Sequence, residues 1–384
     1  DLPPNSIEEI REAIKQVPED PYEIAKTAND LATWTKELDK SRVVVSNCVV
    51  PSLSYEIGYT DALDVVGFSH RGPMYKHFHD NYPQKAIQGS ETGGNWFDYH
   101  YMLDKDYVAG VFIWTGVAYM GEATRSDYLR RGNAGSMLDF AAFKRANYYA
   151  TKAWWSQEPS VYLATAPAST CLFKNDENGV PVEKVPGEMW VKRANKAHML
   201  ETWNYEEGEE IYIESFTNCD EVTLYVNGKE QRTVTVSDCV DKAGKWIIPF
   251  EAGEIKAIAK KGDETIEFAI KTANDFAKID IISDKKELST DYDSAAHIEV
   301  IVTDENGTRL PNNEQKVKFE LEGAYINMGV DNGSSENFQT YQNDEIITSK
   351  GRAMLILQGK ETGTIKVKAI VGDISSETIE ITVK

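Results

Sequence analysis

AIQGSETGG, residues 86–94, decides how the first part of this chain is read. An apolar run ends in Gly89-Ser90-Glu91, and two more glycines follow. The run has the composition of a buried strand, and the glycines mark the turn that ends it. A carboxylate at that point can face a pocket without a bulky neighbour. By itself such a residue more often caps a helix or pairs with arginine than does chemistry.

Outward from Glu91 the same rhythm repeats. VVVSN (43–47), DVVGFSH (64–70), KAIQGSE (85–91) and YVAGVFIWTG (107–116) are apolar strands. Between them lie helical stretches, including WFDYHYML (96–103). Strands that are apolar throughout and separated by helices imply a parallel sheet covered on both faces. Asn47, His70, Glu91 and Trp114 fall at the C-terminal strand ends. A barrel places its active site there, and an open doubly wound sheet binds ligands there too; periodicity does not separate the two. Upstream, Ser6 with Glu9 forms a capping box, and Asp20-Pro21 starts a second helix expected to end near Lys40. Ile24, Ala28, Leu31, Trp34 and Leu38 recur along it at helical spacing.

From about residue 158 apolar and polar residues alternate, as in EVTLYVNGKEQRTVTV (221–236) and IKAIAKKGDETIEFAI (255–270). Asn227-Gly228 and Gly262-Asp263 supply hairpin turns. A second set of strands runs from AAHIEVIVTDENGTRL (295–310) to ETIEITVK (377–384), and polar TANDF separates the two sets. Both read as antiparallel sandwiches.

The 384 residues exceed one compact domain. Hydrophobic residues make up 41%, enough for sizeable cores, and the formal charge of −21 argues against nucleic acid or an anionic membrane as partner. No apolar run reaches the length of a membrane span. The chain starts at Asp1 without methionine, as expected where a start is processed or is not the natural one. Cys48, Cys171, Cys219 and Cys239 form no CxxC pair, so no zinc site is expected; Cys219 and Cys239 are either a disulfide or small buried thiols. His77 and His79 lack a third ligand at metal spacing, and no metal or cofactor is expected. His70 is placed to hydrogen-bond a carboxylate or a sugar hydroxyl. Trp114 is either the wall of a sugar pocket or core filling. Trp190, Trp203 and Trp246 carry the same two readings.

Taken together, DVVGFSHRGPMYKHFHDNYPQKAIQGSET, VAGVFIWTGVAYMGE and FAAFKRANYYATKAWW resemble glycoside hydrolase family 2, the β-galactosidase and β-glucuronidase group. The resemblance extends through ESFTNCDEVTLYVNGK and VTDENGTRLPNNEQKVKFELEG to GVDNG, essentially the whole chain. It implies a multidomain architecture: the second half of a TIM (β/α)8 barrel over 1–157, then two immunoglobulin-like antiparallel β-sandwiches over 158–275 and 276–384. It implies a retaining exo-β-glycosidase with Glu91 as nucleophile on the seventh barrel strand, and His70, Trp114 and Asn133 as substrate-binding residues.

The sequence also departs from the family. The expected acid/base glutamate follows an asparagine, and no Asn-Glu pair precedes Glu91. The first four strands and that acid/base are expected on a missing N-terminal half, the implied partner beside a glycoside or oligosaccharide substrate and a possible second copy of the chain. Phe68-Ser69-His70 stands where a tyrosine is common, and Ala118 where an aspartate is. The Asn-x-Lys that reads a uronate in the β-glucuronidase branch is here Asn133-Ala134-Gly135, which favours a galactosidase-like activity, while Arg130 and Arg131 leave an acidic sugar open. The resemblance suggests a periplasmic or secreted bacterial protein. The alternative is a carbohydrate-binding or scaffolding fragment without turnover.

Overall fold

In the computed structural model the described residues are Glu12, Lys15 and residues 22–123, 129–133, 135–192, 196 and 198–384. The Ser6–Glu9 capping box and the Asp20-Pro21 helix start lie outside them. The chain forms two compact units, Asp1–Gly116 and Val117–Lys384.

The first unit is built on four strands: β1 (Val45–Cys48), β2 (Val65–Ser69), β3 (Ala86–Thr92) and β4 (Val108–Ile113). They pair in sequential order, and each pair is parallel. Val66, Phe68 and Ile87 pack with Cys48, Tyr75 and Phe78 into one core. The half-barrel expectation is met only as far as this sheet: four parallel strands in chain order, with β1 and β4 as its two edges. The expected helix over WFDYHYML is a single turn, Trp96–Tyr99, capped by the Asn95 side chain.

The helix Glu23–Leu38 forms as its spacing predicts, but its apolar stripe faces outward. Ala25 and Ala32 are its buried residues, whereas Ile24, Leu31, Trp34 and Leu38 are exposed. Its tie to the sheet is polar: Lys36 pairs with Asp64 at 2.8 Å, and Asp64 accepts the Val44 amide at 2.8 Å.

The second unit carries two antiparallel sheet pairs. Glu210–Thr217 lies between Val161–Pro167 and Ala243–Pro249, facing a four-stranded sheet centred on Glu221–Val226 and Glu254–Lys261. Trp203 and Trp246 are buried in the shared core and donate their indole N–H groups to Glu251 and Arg232 carbonyls, so both follow the core reading. Trp190 is partly exposed. The cysteines are all free thiols, with Cys239 less buried than the rest. The last pair joins a four-stranded sheet holding Ala295–Thr303 to a six-stranded sheet holding Gly363–Val371. Its edge departs from the antiparallel pattern, since Glu287–Leu288 runs parallel to Ile379–Val383.

A buried ionic cluster lies on the face of the three-stranded sheet around Glu210–Thr217 that is turned away from the core of Trp203 and Trp246, since Glu214 and Lys245 alternate with Ile213 and Trp246. Lys196 pairs closely with Glu214 and Lys245 with Asp241, and cross contacts of 3.4 Å (Lys196–Asp241) and 3.7 Å (Lys245–Glu214) close the set. Burial alone would raise the Asp241 carboxyl, but Lys245 and Lys196 outweigh it and hold it down to about 2. Breaking a buried pair strands a charge, so Lys245→Met is expected to cost about 3–5 kcal/mol in urea unfolding. Asp241 is depressed in the folded state, so its contribution is full above about pH 4, the unfolded range, and is lost as pH falls toward 2. Asp241→Asn should flatten the decline over that window; an unchanged acid limb would show that the cluster does not couple to folding.

Candidate functional site

The site begins with a crowded sheet. Gly67 on β2 faces Gln88 on β3, but Ser69 faces Glu91, so β3 carries one more residue than its partner over this stretch. Such a bulge bends a strand and re-aims the side chain beside it. Its position follows from packing. A Cβ on Gly67 would lie 2.5 Å from the Ser46 carbonyl oxygen, and one on Gly89 would lie 2.6 Å from the Tyr75 hydroxyl. Ser90, on the bulge, donates its hydroxyl to Asn47 Oδ1 at 2.8 Å and ties β3 to the end of β1.

Glu91 emerges just beyond the bulge. Its Oε1 lies 3.0 Å from His70 Nε2, and both side chains are 31% exposed. A ring nitrogen facing a carboxylate oxygen donates to it. The two residues also share a backbone bond, with the His70 amide donating to the Glu91 carbonyl at 2.7 Å. His70 has φ 51, in the left-handed region where non-glycine residues are uncommon. That turn directs the imidazole back over the strand end. On the other side of β3, the Trp114 amide donates to the Thr92 carbonyl at 2.8 Å, and Trp114 is partly exposed.

The structure therefore gathers Glu91, His70 and Trp114 at the C-terminal ends of neighbouring strands, with Asn47 beyond them. Asn133 belongs to the other unit. It lies on the short strand Gly132–Asn133, paired with Tyr119–Met120, and its side chain is outside the described residues. Arg131 is taken up elsewhere: it holds Asp331 through two nitrogens at 2.6 and 2.8 Å and donates from Nε to the Ser334 carbonyl. Its guanidinium also lies over the Phe140 ring. Sequence reasoning had left Arg131 open to an acidic sugar; the partner that claims it lies 200 residues away.

Two of the other histidines serve the packing. His79 stacks on Tyr107 with centroids 3.8 Å apart, and His100 Nδ1 contacts the Trp96 carbonyl. Among the described residues no three His, Cys, Asp or Glu side chains converge as metal ligands. Sequence reasoning missed the Ser90–Asn47 bond and the role of Tyr75 beneath Gly89. Both depend on the bulge, which no local motif announces.

What this arrangement offers is a solvent-reached carboxylate, oriented by an imidazole through one oxygen, beside an aromatic ring. Residues 279–380 match glycoside hydrolase family 2 C-terminal domain 5, and residues 208–267 match a domain of unknown function, DUF4982. The chain is 23% identical over 376 residues to β-galactosidase BoGH2A of Bacteroides ovatus, covering 85% of this chain and 40% of that protein. A glycosyl hydrolase family 2 member from Bacteroides cellulosilyticus superposes with a TM-score of 0.81 at 23% identity, over 94% of this chain and 47% of the other. A family 2 β-glucuronidase gives a TM-score of 0.60 at 17% identity, over 96% of this chain and 41% of the other. By these matches the chain is similar to the C-terminal portion of glycoside hydrolase family 2 proteins. It spans less than half the length of these relatives.

Gly67→Ala tests the packing that sets the bulge. The new methyl meets a backbone oxygen that cannot swing aside, so a loss of about 1–3 kcal/mol is expected in thermal or urea unfolding. A loss below 0.5 kcal/mol would mean that β1 and β2 shift apart freely.

Proposed function

We propose that the chain is the C-terminal part of a retaining exo-β-glycosidase of β-galactosidase-like specificity, with Glu91 as nucleophile. The observation that carries this is the Glu91 carboxylate itself, held by His70 at the C-terminal end of a central parallel strand. In this reading the four-stranded sheet is the second half of a (β/α)8 barrel over 1–157, followed by immunoglobulin-like sandwiches over 158–275 and 276–384. The open edges at β1 and β4 and the outward apolar stripe of Glu23–Leu38 support it, since a barrel with half its strands elsewhere leaves such surfaces uncovered. The match to β-galactosidase BoGH2A and Gly135, where a uronate reader would carry lysine, favour a neutral galactoside over a glucuronide.

The chemistry follows from the geometry. His70 engages Oε1 and leaves Oε2 of Glu91 for the anomeric carbon. As Oε2 attacks, the bond to the aglycone oxygen breaks, and a neutral carboxylic acid gives that oxygen its proton. The product is a covalent glycosyl-enzyme. The same acid, now a carboxylate, takes a proton from water, which attacks the anomeric carbon and frees Glu91. That second group must stand about 5–5.5 Å from the nucleophile. No Asn-Glu pair precedes Glu91 in this chain, so the acid/base is assigned to a preceding segment of the whole enzyme. His70 acts as a positioning residue and Trp114 as an apolar wall for the sugar.

In enzyme that includes the acid/base segment, a 2-deoxy-2-fluorogalactoside should label the peptide containing Glu91, and Glu91→Gln should lower kcat by roughly a thousandfold or more. Label on another carboxylate would remove Glu91 from the mechanism. His70→Asn tolerates the left-handed backbone and should lower kcat by about ten- to a hundredfold through misplacement of the carboxylate.

A further inference from the structure

Ser90 and Glu91 are consecutive residues that should not share a face. Side chains alternate across a strand, and β3 follows this from Ala86 to Ser90, with Ile87 and Gly89 buried and their neighbours half-buried. The alternation then breaks: Glu91 is half-buried like Ser90, and Thr92 is buried. The break falls at the bulge, where β3 takes three steps from Gln88 to Glu91 against two on β2 from Gly67 to Ser69.

Two clamps hold the extra residue in place, one on each face. On the buried face Gly89 lies so close to Tyr75, Val111 and Thr92 that a Cβ would meet side-chain atoms of all three at 2.6, 2.7 and 2.8 Å. On the other face the Ser90 hydroxyl donates to Asn47 Oδ1 at 2.8 Å. This bond skips a strand. Asn47 pairs with Gly67, so β2 lies between the bonded residues. The Ser90 side chain crosses where Gly67 has none: a Cβ there would stand 2.8 Å from Ser90 Oγ and 2.9 Å from Ser90 Cβ. Asn47, Gly67 and Ser90 thus form one row across three strands, immediately before Glu91. A slip of one residue exchanges the faces of a strand's side chains. Here it would turn Glu91 away from His70, whose Nε2 lies 3.0 Å from its Oε1.

We infer that the Ser90–Asn47 bond is a latch that positions Glu91 for attack. This role rests on the assignment of Glu91 as nucleophile and adds two positioning residues that act through it. The bond is exposed, and an exposed hydrogen bond adds little to stability. Its signature is therefore in rate and not in unfolding, because a small misplacement of a reacting atom is costly.

The test uses enzyme that includes the acid/base segment. Competent sites are counted by labelling with the 2-deoxy-2-fluorogalactoside, and kcat is expressed per labelled site. Ser90→Ala and Asn47→Ala should each lower kcat about tenfold, with KM changed less than about twofold and thermal unfolding unaltered. The double variant should be no slower than either single one, because each removes the same bond. Losses that multiply in the double variant, a fall only in the number of labelled sites, or an unchanged kcat in the single variants would each overturn the latch. Should Ser90→Ala misfold, Asn47→Ala decides alone, since Asn47 is exposed. Label on Glu91 with an unchanged kcat in these variants removes the latch and keeps the nucleophile; label on another carboxylate in the unaltered enzyme removes both.

Discussion

Parallel pairing is the constraint on which the first unit depends. Strands that run the same way deliver all their C-terminal ends to one side, whatever the residues there are. Asn47, His70, Glu91 and Trp114 lie far apart in sequence, yet the pairing of β1 to β4 makes them neighbours along one rim. The bulge at Gly89–Ser90 then adjusts the aim of a single carboxylate. Neither glycine packing nor parallel order does chemistry, but Glu91 and His70 meet at 3.0 Å because of both.

The second unit adds to its apolar cores a different kind of interaction, fixed charges with little water around them. Arg131 bridges to Asp331, and the Lys196–Glu214–Asp241–Lys245 cluster is buried on the outer face of the three-stranded sheet. Such contacts add less stability than apolar packing of equal volume, but a misplaced partner is costly. They therefore suit a unit whose segments must meet in one arrangement.

Much of this was legible from the residues alone. Apolar runs without alternation marked β1 to β4, and strict alternation with Asn-Gly turns marked the antiparallel strands, because burial on two faces or on one leaves different periods. Glu91 was legible because glycines flank it. The outward stripe of Glu23–Leu38 was not, since helical spacing shows that a face is apolar but not which surface it meets. Arg131 was left open for a related reason: its partners Asp331, at the end of a strand, and Ser334, in the turn after it, lie about 200 residues on, and side-chain assignments over that span depend on the fold. The contacts of His79 with the Tyr107 ring and of His100 with the Trp96 carbonyl are likewise revealed only by packing.

The backbone of His70 narrows what can replace it. With φ near 51, the position suits glycine, asparagine, aspartate and histidine far better than a branched or bulky side chain. Of these, only asparagine and histidine offer an N–H to a neighbouring carboxylate. Drift at this position is therefore channelled: a change that keeps the fold comfortable either retains a donor for Glu91 or removes it altogether, with few intermediate options. Two separate demands, one on the main chain and one on the ring, have converged on the same residue.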